Sequence, residues 1–567
     1  MDRRFVLALG LMVLVMVLPS IIWPGKPVSR LGGQPDSLSR ATAGLDSTHM
    51  DTQTVVAPPR APAPQPVNRQ KTVPAETVWV TTPLYRLGLS TRGATIVSAE
   101  LSHYRSYAAG DSGTRAQLVP AGREFLAQRI VVGADTLALS DLTFTPSAKV
   151  VSVAGDSAGL TFTTTRGPST LSLTYLFRSD GYGIGVRGRI TSLPAGGAQL
   201  LVGLGDGLKN TEADSIASFR DYAVVTKATK TEKQLFASTK PGERTVLDGP
   251  FEWAGVKSKY FLFAALALEA NQPQFGGVVA VGGPRPDSGR SLFGGKYGIA
   301  TRTSVALTLP TPPSGEFHYD LYLGPLEHRR LAAMGHDLDD ANPYGWAVFR
   351  PIIRPVSIVV VNVLLWTHAH LGVAYGWVLI FFGILIRLVL WPLNSRAMAS
   401  QMRMQAVAPI LKEIQTKYKN DPERSQKETL KVYREHNVNP LGGCLPMLLP
   451  WPVLLALYFV FQYTIELRGS PFLWLPDLSR FDPFYILPVV MGVSMFVLSK
   501  VGQRGLPPNP QTATMLYMMP AMMTFIFLKL SSGLNLYYLV SNLVSIPQQW
   551  MLSQKRLRDQ GKRAGGT

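Results

Sequence analysis

The sequence contains one cysteine, Cys444, among its 567 residues. A single thiol excludes a disulfide framework and every zinc site that needs two or more cysteines. Acidic residues are also scarce, with 37 Asp and Glu against 56 Lys and Arg, and the formal net charge is +19. Only 16% of the residues are charged, and the mean hydropathy is positive. A basic but apolar chain is typical of a membrane protein with cationic loops.

Motifs of several enzyme classes are missing as well. No P-loop, HExxH, GxSxG or usable GxGxxG sequence is present. The sequence therefore predicts a protein that is not an enzyme and that has no cofactor or metal site.

The first 337 residues combine an apolar start, a proline-rich stretch and a region of strands. Residues 1–23 predict a transmembrane anchor with Arg3 and Arg4 on the cytoplasmic side, and a cleaved signal peptide is the alternative. Residues 24–75 are rich in Pro, Ser and Ala and predict a disordered linker. Period-two alternation, as in Leu171–Phe177, recurs through residues 76–337 and predicts one large extracytoplasmic β-sandwich.

Further apolar stretches predict an α-helical polytopic membrane protein. Residues 338–371 predict a junction with a helix on the outer membrane surface, because only about eleven residues of it are continuously apolar. With the anchor, the five later stretches predict six membrane spans with both termini cytoplasmic. These stretches are residues 372–393, 445–466, 484–500, 512–530 and 533–552, and a basic tail follows at 553–567.

Residues 394–444 are polar and predict a cytoplasmic helical hairpin. Met398, Met402 and Ile410 recur at helical spacing along its first half. This stripe is either the packing seam of the hairpin or a docking surface.

The apolar run Ala374–Leu393 carries Arg387 in its interior. An arginine at the centre of a membrane helix costs about 2.5–3.5 kcal/mol on insertion scales, so such residues usually face protein, water or a substrate. Apart from Glu466, which lies at the opposite end of its span, no Asp or Glu lies in the same predicted segments. Amides and hydroxyls are abundant in the later spans, including Gln462, Tyr537, Tyr538, Ser541 and Asn542. This pattern favours a wet cavity around Arg387, and snorkelling of the side chain to the cytoplasmic surface is the alternative.

Several longer stretches resemble the YidC family of membrane protein insertases. They are NPLGGCLPM at Asn439–Met447, LPWPVLLALY at Leu449–Tyr458, DPFYILPVVMGVSMF at Asp482–Phe496, SGLNLYYLVSNLVSIPQQ at Ser532–Gln549 and, in the outer domain, DLYLGP at Asp320–Pro325. The order of elements is similar along nearly the whole chain. Two departures are Pro450, where relatives have Gln, and Gly383, where relatives often have a hydroxyl.

The resemblance implies a five-helix core around a hydrophilic groove and a periplasmic β-supersandwich. The groove would open to the cytoplasm and to lipid in the bacterial inner membrane, with Arg387, Tyr537 and Tyr538 lining it. The implied partners are nascent membrane proteins, the lipid bilayer, the Sec translocon and the ribosome, which the hairpin and basic tail would contact. The implied working form is a monomer.

Two other functions remain open from the residues alone. A solute channel or transporter with an outer sensor domain would be expected to contain intramembrane carboxylates. A membrane-anchored sugar-binding or sugar-epimerising sandwich would leave the polar helices unexplained.

Overall fold

The computed structural model describes residues 75–193, 197–269, 272–284, 302–342, 344–346, 348–419, 421–435, 451–505 and 510–564. The predicted anchor and nearly all of the predicted linker lie outside these residues. The chain divides into two compact units, Met1–Gly324 and Pro325–Thr567.

The first unit is built from strands in three sheets. The strands are β1 Thr77–Thr81, β2 Tyr85–Ser90, β3 Ile96–Arg105, β4 Arg115–Gln117, β5 Arg129–Val132, β6 Asp135–Ala138, β7 Thr145–Pro146, β8 Val150–Ser152, β9 Ser157–Arg166, β10 Ser169–Arg178, β11 Gly183–Ile190, β12 Ala198–Gly205, β13 Ala223–Lys227, β14 Thr231–Leu235, β15 Arg244–Phe251, β16 Trp253–Lys257, β17 Phe261–Leu266, β18 Phe275–Gly282, β19 Thr303–Thr311 and β20 Glu316–Pro325. One short helix, α1 Ser215–Phe219, interrupts them. The described strands form a sheet of order β4-β3-β2-β1-β8, one of order β14-β13-β16-β17-β20-β11-β10-β9-β7, and one of order β15-β18-β19-β12-β5-β6.

Alternation of side chains accounts for the core of this unit. In β10, every second residue from Leu171 to Phe177 is buried, and β20 follows the same pattern from Phe317 to Leu323. Successive side chains of a strand point to opposite faces, so this period places one apolar face inside. The hydroxyl of Tyr175 donates to the carbonyl of Ala94 at 2.7 Å, which ties β10 to the turn after β2. The predicted β-rich domain is confirmed.

The second unit is helical. Its helices are α2 His328–Met334, α3 Arg350–Leu371, α4 Tyr375–Lys417, α5 Pro422–Glu435, α6 Trp451–Tyr463, α7 Ile486–Gly502, α8 Pro510–Phe527 and α9 Ser532–Ala564. One apolar cluster with contributions from α3, α4, α6, α7 and α9 forms its core. In the described part of the chain, α3 and the first half of α4, Tyr375–Pro392, are long and apolar enough to cross a membrane. Pro452–Tyr463, Ile486–Gly502 and Leu516–Phe527 are shorter apolar helices.

Helix α3 is longer than the apolar part of its sequence suggests. It has 22 residues and ends at Gly372, whose left-handed φ of 63° is a common helix stop. At its N-terminal end, Arg350 and Arg354 pair with Asp340 at 2.6 and 2.9 Å. This carboxylate offsets the unfavourable placement of two cations near a helix N-terminus. The predicted position of α3 on the outer membrane surface remains a prediction.

Two predicted segment boundaries are not breaks in the helices. Helix α4 runs for 43 residues from the Arg387 stretch into the predicted hairpin. Helix α9 continues to Ala564 through most of the predicted basic tail, whose Lys, Arg, Leu and Gln residues are good helix formers. The guanidinium of Arg556 donates to the carbonyls of Gly502 and Arg504 at 3.0 and 3.1 Å, so the start of the tail caps the end of α7.

Candidate functional site: a polar face between two helices

The candidate site lies where α9 packs against α4. The Nε atom of Arg387, on α4, donates to the Oγ atom of Ser541, on α9, at 3.2 Å. Ser541 is buried and the Arg387 side chain is half-buried. Within the described residues, Arg387 takes part in no ion pair, and the ionisable side chains that act on it are Tyr537 and Tyr538. A guanidinium has five N–H donors, so one hydroxyl leaves donor capacity for another group.

Two tyrosines of α9 extend this face. The rings of Tyr537 and Tyr538 lie 5.6 Å apart and nearly perpendicular. Tyr537 also packs against Phe382 of α4 at 6.1 Å, and Tyr538 meets Phe527 of α8 edge-on at 4.9 Å. The sequence-predicted residues Arg387, Tyr537, Tyr538 and Ser541 are therefore brought together on one side of α9.

Asn542 lies one turn after Tyr538 on α9, and its side chain contacts α7 instead of α4. Its Nδ2 atom donates to Ser494 Oγ of α7 at 3.0 Å, and Ser494 donates in turn to the carbonyl of Met491 at 2.6 Å. Both Asn542 and Ser494 are buried. This chain of hydrogen bonds fastens α9 to α7, so the contacts of Asn542 are with the bundle rather than with the Arg387 face.

Gln462 is half-buried on α6, and no contact joins it to Arg387 in the described part of the structure. Its role in the groove remains a prediction. In the predicted hairpin, Ile410 packs on Val407 and Val432, which is the contact expected of a packing seam. The side chains of Met398 and Met402 lie outside the described residues.

The resemblance implies a groove that is closed to the outside, but the sequence did not predict the contacts that close one end of the helical unit. The loop of residues 464–485, called the outer loop below, lies between α6 and α7. The carbonyls of Arg480 and Leu478 accept hydrogen bonds from the N–H groups of Ser532 and Gly533, at 2.6 and 2.9 Å, at the start of α9. The Phe472 ring rests so close to Gly376 of α4 that a side chain there would overlap it. The beginnings of α4 and α9 are thus sealed by this loop.

Close helix contact continues along α4 as far as Gly383. A Cβ atom at Gly383 would lie 3.1 Å from Cγ1 of Val540, so the glycine allows α4 and α9 to approach. Gly383 therefore has a packing role here. A polar side chain at this position would have to displace Val540.

The described residues combine a β-rich unit with packed apolar helices, two of which are long and apolar enough to cross a membrane. Two family models cover most of the chain: "YidC periplasmic domain" matches residues 77–356, and "60Kd inner membrane protein" matches residues 366–560. Among curated relatives, the membrane protein insertase YidC of Syntrophus aciditrophicus is 30% identical over 98% of this chain and 100% of its own length. That of Geobacter sulfurreducens is 31% identical over 83% of this chain and 85% of its own length.

The chain belongs to the YidC family of membrane protein insertases. It is accordingly an inner membrane protein and not an enzyme. The relatives give no support to a solute channel or transporter.

The matches to solved structures are weaker than the matches to sequences. A YidC insertase crystal structure with its first transmembrane domain resolved aligns with a TM-score of 0.33 and 16% identity, covering 84% of this chain and 92% of that chain. A galactose mutarotase related enzyme from Lactobacillus acidophilus aligns with a TM-score of 0.27 and 9% identity, covering 44% of this chain and 97% of that chain. Both scores are low, and membership of the family follows from the sequence matches.

Proposed function

We propose that this chain inserts nascent membrane proteins into the inner membrane, and helps them to fold, through a hydrophilic groove between α4 and α9. The observation that carries the proposal is the half-buried Arg387, which contacts a hydroxyl and has no ionic partner among the described residues. A cation held among hydroxyls can attract an acidic or polar segment of a substrate. A cation already paired with a carboxylate would do so far less.

The groove lowers the barrier for the polar segment of a substrate. The outer loop seals the end where α4 and α9 begin, and Arg387 lies about 16 Å further along α4 than Gly376. A polar segment that enters from the cytoplasm would therefore cross only part of the bilayer without water. The apolar helix of the substrate would then partition into lipid, where burial contributes about 0.8 kcal/mol per CH₂ group.

No nucleotide-binding motif is present in the sequence, so we infer that partitioning and the membrane potential drive insertion. The potential contributes about 2.3 kcal/mol per charge per 100 mV. Acidic outer segments gain most from it, and Arg387 would concentrate those segments in the groove.

The finer topology and the partners belong to the same proposal. The positive-inside pattern supports six spans, with both termini, the hairpin and the basic tail in the cytoplasm. In the tail, Arg556 is engaged by α7, whereas Lys555 and Arg558 are exposed and available to the ribosome. We expect the protein to work as a monomer in contact with the lipid bilayer, alone or beside the Sec translocon.

Site-specific photo-crosslinking tests the groove. Benzoyl-phenylalanine replaces Tyr537 or Tyr538, because an aromatic residue changes the shape least at these positions. Crosslinking is then carried out while a short single-span membrane protein is being translated. The matched control is Val493, which is 58% exposed on α7 and is expected to face lipid. Crosslinks from both tyrosines that disappear when the nascent chain is released would support the groove. No crosslinks from the tyrosines, with normal lipid adducts at Val493, would show that the α4–α9 face is only a packed polar core.

A further inference from the structure

The outer loop exposes large apolar side chains instead of burying them. Leu473 is 73% exposed and Phe484 is 66% exposed. Trp474, Phe481 and Tyr485 are partly exposed, at 40%, 37% and 45%. These five residues are called the apolar patch below. Clustered exposed apolar side chains mark a surface that contacts lipid or another protein.

The exposure is imposed by the backbone of a tight turn. The N–H group of Phe472 donates to the carbonyl of Leu475, and the N–H group of Leu475 donates back to the carbonyl of Phe472, both at 2.9 Å. Leu473 and Trp474 form the tip between them. Leu473 has a φ of 54°, a left-handed conformation that is costly for a residue other than glycine, asparagine or aspartate. The turn therefore holds a leucine outward at the expense of local strain.

Asp482 joins the two halves of the patch. This buried carboxylate accepts hydrogen bonds from the N–H groups of Leu487 at 2.7 Å and Phe484 at 3.0 Å, and from Nε1 of Trp474 at 3.4 Å. The ring of Phe481 stacks on that of Tyr485 at a centroid distance of 6.2 Å. Defined contacts therefore connect the two halves of the patch.

The patch continues directly into an exposed apolar stripe on α7. Ile486, Val489, Val490, Val493 and Val497 are all exposed and recur at helical spacing. In a chain of this family, such a stripe on a core helix is the surface that would face lipid. Because α7 begins at Ile486, the patch lies at the end of that stripe, on the side that the charge pattern places outside the cytoplasm.

We propose that the apolar patch inserts into the outer leaflet of the membrane, with its aromatic rings at headgroup level and Leu473 reaching the upper acyl chains. Tryptophan and tyrosine favour this interface because they combine an apolar ring with a polar atom. The inference rests on the proposed membrane core. It adds that the sealed end of the groove is anchored in lipid by its own loop.

Depth-dependent fluorescence quenching tests the proposal on the full chain. In a Cys444→Ser background, single cysteines at Leu473 and Phe484 carry an NBD label, and the protein is reconstituted in vesicles of phosphatidylethanolamine and phosphatidylglycerol. Val150 is 68% exposed in the β-rich unit and is the matched control for exposure, whereas Val493 is the control for lipid contact. Nitroxide lipids carry the quencher either near the headgroup or deep in the acyl chain.

We expect the labels at residues 473 and 484 to be quenched more by the shallow nitroxide than by the deep one. The label at residue 493 should be quenched more by the deep nitroxide, and the label at residue 150 should not be quenched. Labels at 473 and 484 that behave like the one at 150, while 493 is quenched, would overturn the patch proposal and leave the membrane core intact. Labels at 473 and 484 that are blue-shifted but unquenched would also overturn it, because protein rather than lipid would then cover the patch. An unquenched label at 493 would overturn the membrane core itself.

Discussion

Removal of the charge at Arg387 should impair insertion in proportion to the number of acidic residues in the substrate. At about 5 Å and an effective dielectric constant of 20, a guanidinium and a carboxylate attract each other by about 3 kcal/mol. Arg387 is only half-buried, so solvent screening reduces this figure to about 1–2 kcal/mol. Since about 1.4 kcal/mol is a factor of ten in rate, Arg387→Met should slow insertion about tenfold for one acidic residue in the translocated segment.

The assay is protease protection of single-span substrates whose outer tails carry none, one or two Asp residues. Insertion is measured in proteoliposomes with and without a membrane potential, because the potential acts on the same charges independently of Arg387. Arg387→Lys keeps the charge and should retain most of the dependence on acidic residues. Ser541→Ala removes the hydroxyl partner but not the charge, and is expected to change insertion less than Arg387→Met does.

An equal loss of insertion for all three tails would refute the electrostatic argument. Arg387 would then act by hydrating the groove, since hydration does not depend on the charge of the substrate. Arg387→Lys separates the electrostatic role from the hydrating role most clearly if it keeps normal insertion of acidic tails but not of the neutral tail.

Three further predictions concern packing and protonation. Asn542→Ala should lower stability by about 1 kcal/mol through loss of its hydrogen bond to Ser494, measured by thermal unfolding in detergent, and an unchanged Tm would contradict that bond. Gly383→Leu should force α4 away from Val540 and destabilise the helical unit by about 1–3 kcal/mol in the same assay, whereas a neutral result would mean that the helices are not in close contact. Burial, and secondly the nearby positive charge of Lys233, lowers the pKa of Lys257 from 10.5 to about 7. Between these two pH values the unfolded chain binds more protons than the folded chain does. The free energy of unfolding of the β-rich unit therefore rises with pH there, by up to about 1.4 kcal/mol per pH unit. Lys257→Met should flatten this slope in chemical unfolding between about pH 7 and 9, and an unaltered slope would argue against the lowered pKa.

The β-rich unit and the importance of Arg387 could be predicted from local sequence patterns. Alternation in Ser169–Arg178 depends only on the geometry of a strand, and an arginine in an apolar run is visible without knowledge of its neighbours. The partner of Arg387 could not be predicted in this way. Adjacent residues of a helix point about 100° apart, so Ser541 meets α4 while Asn542 meets α7. The rotation of α9 decides which of its polar residues reaches the site, and packing rather than sequence sets that rotation.

The conformation of the outer loop could not be predicted for a related reason. Its form depends on two residues with left-handed φ angles, Leu473 at 54° and Tyr485 at 55°, and neither is of a type that favours such a conformation. Around Tyr485, local hydrogen bonds from the N–H groups of Phe484 and Leu487 to the Asp482 carboxylate accompany this conformation. The short apolar and aromatic segments around Trp474 and Phe484 were a signal of unusual exposure, but only the fold shows that they are held outward.

One face of α4 explains how a single helix can both seal the core and maintain a polar site. Gly376, Gly383 and Arg387 lie seven and four residues apart, which places all three within a narrow sector of the helix. The first two positions have no side chain, so Phe472 and then Val540 pack directly against the backbone. About 6 Å further along, the same face presents Arg387 to Ser541. The change from a dry contact to a polar one therefore occurs within about one helical turn, and the position of Gly383 sets how deep a groove at this face can extend.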